Sequence, residues 1–117
     1  MSLTESQKSR RAMLEQELKR IVEVILKNYQ PQKVILFGSL AIGEVQEWSD
    51  IDLMVVMETD KPFMQRIKEM VECIKPNVGT DILVYTPKEF EELCKSRRFF
   101  QDEIDEKGRT VYEKQVA

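Results

Sequence analysis

Two aspartates, Asp50 and Asp52, stand one residue apart at the head of an apolar run, and ten residues separate them from a preceding Gly38-Ser39 pair. On an extended segment, side chains at i and i+2 project from the same face. Two carboxylates held that close repel each other unless a cation neutralises them. Magnesium suits them, because it takes hard oxygen ligands and keeps waters and phosphate oxygens in its shell. Asp81 heads a further apolar segment in the same way. If the two segments are neighbouring strands, all three acids could meet at one end of a sheet. Three carboxylates can hold two metal ions roughly 4 Å apart and clamp the attacking and leaving oxygens of a phosphoryl-type displacement. Gly38 lets the backbone approach a ligand closely. The amides that follow it can bind phosphate oxygens, and the Ser39 hydroxyl can add a hydrogen bond. The chemistry these groups suggest is binding of a nucleoside triphosphate as its magnesium complex.

Each signal alone is weak. A lone Gly-Ser is usually a turn, a lone Asp-x-Asp is usually a solvated strand start, and Asp81 after Gly79-Thr80 is ordinary turn chemistry. Their order and their strand-boundary positions carry the reading.

The elements that must position these groups can be read in turn. Thr4 and Gln7 have capping-box spacing, and Leu14, Leu18, Ile21, Val22 and Ile25 recur at helical spacing. A helix is therefore expected over about 5–28, burying its stripe on the domain's own sheet in preference to a partner helix. Residues 33–37 (KVILF) read as a buried strand, 40–43 as a helical turn and 44–49 as a polar loop containing Trp48. Residues 50–57 (DIDLMVVM) read as a second strand, covered on both faces. Asp60 is expected to cap a helix with Pro62 in its first turn and Ile67, Met70, Val71 and Ile74 on its apolar face. Residues 80–85 (TDILVY) form the third expected strand, and Thr86-Pro87-Lys88-Glu89 is a helix start. A break at 96–98, a helix over 99–107 closed by Gly108 and a short strand at 110–112 complete the chain. The fold class is α/β (α+β), a small mixed sheet with flanking helices. The short link between the first two strands favours their antiparallel pairing.

At 117 residues the chain is expected to be one domain, 1–117, with a core over about 33–113. A net charge of −3 argues against a general nucleic-acid binder, which needs a basic face. The chain has no His, which excludes Ser-His and Cys-His nucleophilic mechanisms and His-based zinc sites within it. Cys73 and Cys94 fall in apolar helical patterns and read as core thiols suited to a reducing, cytoplasmic setting. The polar N-terminus is not a signal peptide, and no apolar run reaches membrane-spanning length.

The run from Gly38 to Val56, GSLAIGEVQEWSDIDLMVV, resembles the signature of the DNA polymerase beta-like nucleotidyltransferase superfamily, and in particular its small single-domain branch, the minimal nucleotidyltransferases (MNT). The stretch from Ile104 through Gly108 to Val111-Tyr112-Glu113 resembles the end of such domains. The resemblance implies that Gly38 and Ser39 contact a triphosphate, that Asp50 and Asp52 hold magnesium, and that Asp81 is the third carboxylate, a metal ligand and a candidate base. It implies transfer of AMP from ATP to a hydroxyl. It also implies a protein partner of HEPN type, which some members adenylylate as antitoxins; self-association is compatible with it. One position departs from the family pattern: Ile42 stands where Arg is common, and Ile cannot contact a phosphate. Lys33, Lys61 and the Arg97-Arg98 pair are the candidates to substitute, although that pair reads more simply as solvated. The departure keeps open a second reading, a module of the same fold with little catalysis that neutralises a partner by docking.

Overall fold

The computed structural model describes residues 2–115. Helix α1 spans Glu5–Asn28 and is followed by β1 (Lys33–Phe37), α2 (Ser39–Ile42), β2 (Ile51–Val56), α3 (Phe63–Ile74) and β3 (Thr80–Tyr85). Helix α4 (Pro87–Ser96), a π-helix α5 (Phe100–Glu106) and β4 (Arg109–Glu113) complete it. The four strands form one mixed sheet in the order β3-β2-β1-β4. The expected β1–β2 pair is antiparallel, β2 and β3 are parallel, and β4 runs antiparallel to β1 with a bulge between Val34 and Ile35.

Both faces of the sheet are covered. On one, Leu14, Leu18, Ile21 and Ile25 of α1 and Met70 and Ile74 of α3 pack on Val34, Leu36, Leu53, Val55, Ile82 and Val84. The α1 stripe is therefore spent on the domain's own sheet. On the other, Phe100 and Ile104 of α5 pack on Ile35 and Met54, joined by Phe37, Leu83, Tyr85 and Phe90. Period-2 alternation thus divides each strand between two cores. The apolar run of β2 follows from burial on both sides, with every residue but Asp52 buried.

Both expected capping boxes form. Thr4 Oγ1 accepts from the Gln7 amide at 3.2 Å and Thr86 Oγ1 from the Glu89 amide at 3.2 Å, while the Gln7 and Glu89 side chains return the bond at 2.8 Å. The cap at Asp60 does not form. Pro62 itself is the N-cap of α3, without a side-chain hydrogen bond, because the helix begins two residues later than expected, at Phe63. The strand that carries the acid pair begins at Ile51, leaving Asp50 in the loop. Cys73 and Cys94, expected as core thiols, are free and half-buried, and Cys94 packs at the rim of the second core. No helix among the described residues is long and apolar enough to cross a membrane.

One polar cluster ties α1 to the segment leading into β3. Glu17, buried at 7% exposure, accepts from Arg20 Nε at 2.7 Å and Nη2 at 2.8 Å, and from the Asn77 amide at 2.6 Å. Arg20 also donates to the carbonyls of Ile74 and Lys75, both at 3.2 Å, at the end of α3. The Arg20 hydrogen bonds, reinforced by those from Asn77 and opposed by burial, hold the Glu17 carboxyl down at about 2. A carboxyl whose pKa is depressed in the fold contributes stability above its unfolded value, and that contribution is lost as the pH falls toward 2. Glu17→Ala leaves Arg20 and the Asn77 amide without their acceptor. It is expected to destabilise the protein by about 3 kcal/mol at pH 7, with the difference shrinking between pH 4.5 and pH 2. Urea denaturation across that range checks both statements, and a loss that did not depend on pH would contradict the assignment.

Candidate active site

Strand register places the acids. Asp52 and Asp81 are direct partners across the parallel β2–β3 pair, and Phe37 is the partner of Asp52 across β1–β2. Cross-strand partners share a face. A row of Phe37, Asp52 and Asp81 therefore crosses one end of the sheet on the side covered by α4 and α5. Phe37 meets Phe99 edge-on, with ring centroids 6.0 Å apart. Asp81 lies on an edge strand and is exposed, whereas Asp52, on an inner strand, is half-buried.

Two glycines make room for these carboxylates. Gly38 has φ +76°, a conformation that L side chains rarely adopt, and a Cβ there would overlap Asp52 Oδ2. A Cβ on Gly79 would come within 2.6 Å of Asp50 Oδ1. The turn after β1 is thus shaped around Asp52, and the turn before β3 around Asp50. Ser39 opens α2, and its hydroxyl donates to Ser49 Oγ at 3.0 Å. Ser49, buried at 6% exposure, also accepts from the Gln46 amide at 2.8 Å, which fixes the loop that delivers Asp50.

The site is electrostatically strained. Burial, the charge of Asp81, a hydrogen bond with Asp81 and the charge of Asp50 together push the Asp52 carboxyl up to about 6. Oxygen donors crowded in this way suit a hard cation, whose charge would let both acids ionise. Asp50 is less closely engaged, since its Oδ1 lies 3.5 Å from Arg10 Nη2. The described residues contain no group of three or more acids, cysteines or histidines spaced as a metal-ligand set. The structure thus couples Asp52 with Asp81 and leaves Asp50 beside them, outside such a set. A cavity of about 730 Å³ opens elsewhere, at the far end of β1 beside Lys33 and Glu113, and holds none of the acids. Charge and register identify this site; concavity does not.

None of the expected substitutes for a cation at position 42 forms an ion pair with the three acids among the described residues. Lys33 pairs with Glu113 at 3.2 Å and Lys61 with Glu69 at 2.6 Å. Arg97 and Arg98 are exposed and make no ion pair among the described residues. Ile42 ends α2 at 45% exposure. The cation that does reach an acid is Arg10 of α1, whose Nε and Nη2 donate to the Ser49 carbonyl at 3.0 and 2.8 Å. Neither Arg10 nor Ser49 carries a sequence signal that singles it out, apart from Ser49 being the neighbour of Asp50.

Comparisons with known proteins bear on this arrangement. The family model described as nucleotidyltransferase domain matches residues 18–115. The chain is 30% identical over 102 residues, 84% of its length and 97% of the relative's, to a Methanocaldococcus jannaschii protein named as a candidate protein adenylyltransferase. It is 29% identical over 92 residues, 79% of its length and 89% of the relative's, to another protein so named from the same organism. Among solved structures, a candidate nucleotidyltransferase from Sulfolobus solfataricus superposes with a TM-score of 0.72 at 20% identity, covering 97% of this chain and 93% of that one. That likeness is one of fold.

The raised Asp52 pKa has a consequence for stability. Between about 3.8 and 6 the folded protein holds a proton that the unfolded chain releases, so stability falls as pH rises through that window. In EDTA, Asp52→Asn is expected to melt a few degrees above the wild type at pH 7 and to match it near pH 3.5. Thermal melts at the two pH values measure this, and an Asp52→Asn variant no more stable than wild type at pH 7 would refute the crowding of the acids.

Proposed function

Because the chain belongs to the nucleotidyltransferase domain family, we propose that it is an adenylyltransferase that moves AMP from ATP to a hydroxyl of a protein acceptor. The observation that carries this reading is the register pairing of Asp52 with Asp81 beside the Gly38-Ser39 turn. The missing Cβ of Gly38 lets the Asp52 carboxylate lie against the turn, so the acid pair provides its oxygen donors next to the amides that follow Gly38. Magnesium is the proposed ion at Asp52 and Asp81, with Asp50 as a further ligand, and it would neutralise the carboxylates and draw charge from the transferring phosphate. Asp81, exposed on the edge strand, is the proposed acceptor of the proton from the attacking hydroxyl. The hydroxyl oxygen forms a bond to the α-phosphorus of ATP, the α–β bridging bond breaks, and pyrophosphate leaves with the electron pair.

A protein acceptor is supported by the names of the Methanocaldococcus jannaschii relatives and by the openness of the edge on which Asp81 sits. A HEPN-type protein is the proposed acceptor on the strength of the resemblance of the central motif, and the cytoplasm is the proposed compartment. A second reading, a docking module with little catalysis, is favoured by Ile42, an exposed apolar side chain at the end of α2 where the motif commonly has Arg.

Labelled ATP, magnesium and a HEPN-type partner, mixed with the protein, are expected to give labelled partner. Asp52→Asn should reduce transfer by more than about 100-fold while partner binding survives. If the partner is neutralised equally well by an Asp50→Asn/Asp52→Asn double variant, the docking reading replaces the catalytic one.

A further inference from the structure

We propose that Arg10 is a nucleotide-phosphate ligand of this site, delivered from α1; the proposal rests on the adenylyl-transfer reading above. From Val34 to Asp60 the chain contains no Lys or Arg, but it contains Glu44, Glu47, Asp50, Asp52, Glu58 and Asp60. The glycine turn and two of the three site acids lie within that segment. A triphosphate arriving there would meet side chains of its own sign, and a resident magnesium ion offsets only part of that repulsion. A side-chain cation must therefore come from elsewhere in the fold.

Arg10 is placed to supply it. Two of its nitrogens donate to one carbonyl, that of Ser49, which sets the plane of the guanidinium. Its Nη2 is 3.5 Å from Asp50 Oδ1, and it is the one cation that the described residues place in ion-pair range of any of the three acids. Ser49 carries the link onward, since its hydroxyl meets the Ser39 hydroxyl at 3.0 Å. Arg10 thus touches Asp50 directly and is joined to the turn through Ser49. Its Nη1 makes no hydrogen bond among the described residues, leaving donors for a further acceptor. The same turns of α1 also carry Lys8 and Arg11, which line a cavity of about 520 Å³ with Glu15 and with Gly43, the residue that closes α2, although Lys8 is itself 3.8 Å from Glu5. Arg10 precedes residues 18–115, the span matched by the nucleotidyltransferase family model, so the role is not one that the match assigns.

The competing role is a strut that only closes the loop carrying Ser49. Binding of magnesium-ATP, magnesium-AMP and inorganic tripolyphosphate by wild type, Arg10→Lys and Arg10→Gln separates the two, with a thermal melt of each protein. As a phosphate ligand, Arg10→Gln should weaken ATP and tripolyphosphate binding about tenfold, weaken AMP binding less, and raise the KM for ATP more than it lowers kcat. Arg10→Lys, which keeps the charge, should recover part of the loss. The proposal is overturned if Arg10→Gln binds ATP within twofold of wild type. It is also overturned if the Lys and Gln variants lose all three ligands equally and both melt earlier. Wild-type protein that binds neither ATP nor tripolyphosphate would remove the nucleotide reading itself, a result visible before any variant is made.

Discussion

Two like charges facing each other across a parallel strand pair are the constraint around which this molecule is built. Asp52 and Asp81 cannot separate without breaking the β2–β3 register, and that register is held by the pairing of all six residues of each strand and by burial of β2 on both faces. Parallel neighbours need a crossover, which is what α3 provides. The inner position of β2 desolvates Asp52, and the missing Cβ of Gly38 allows its carboxylate to lie against the preceding turn. Folding energy from apolar packing is thereby used to hold together groups that repel, a common arrangement where a fold prepares a charged ligand site.

Helix α1 contributes more to this arrangement than a hydrophobic stripe. Its apolar face fills one core, and its flanks carry two polar connections to opposite sides of the site. Arg10 holds the loop before β2, and Glu17 holds the segment before β3. The loops that deliver the acids are therefore braced by one rigid element as well as by the Ile51–Gly79 backbone hydrogen bond between them. The second core, built on Phe100 and Ile104, covers the same face of the sheet as the acid row and brings Phe99 beside Phe37.

Local signals in the sequence were sufficient for most of the fold. The capping boxes at Thr4 and Thr86, the stripe of α1 and the apolar run of β2 each depend on near neighbours, and each forms as expected. Asp60 misled because Asp two residues before Pro resembles a cap with Pro in the first turn, while α3 starts at Phe63 after a Pro62 N-cap. The π-helical winding at Phe100–Glu106 has no local signature distinct from an α-helix. In the site, the glycine turn and the Asp52–Asp81 pairing were legible from strand boundaries. The partners of Ser49 were not, since the Arg10 contact joins residues 39 positions apart. Asp50 shows the limit of a two-residue period: it lies outside the strand, where alternation no longer fixes direction, and it turns toward Gly79 and Arg10.

The seven-residue interval between Arg10 and Glu17 makes α1 a ruler. Seven residues are close to two full turns, so both side chains leave the helix on nearly the same bearing, about 10 Å apart along its axis. That length sets the distance between the two loop anchors. One residue inserted between them would swing one anchor about 100° around the axis, so that one acid-bearing loop could stay tied only if the other were released. Sequence change in this part of α1 is therefore open to substitution at its exposed positions and closed to changes of length.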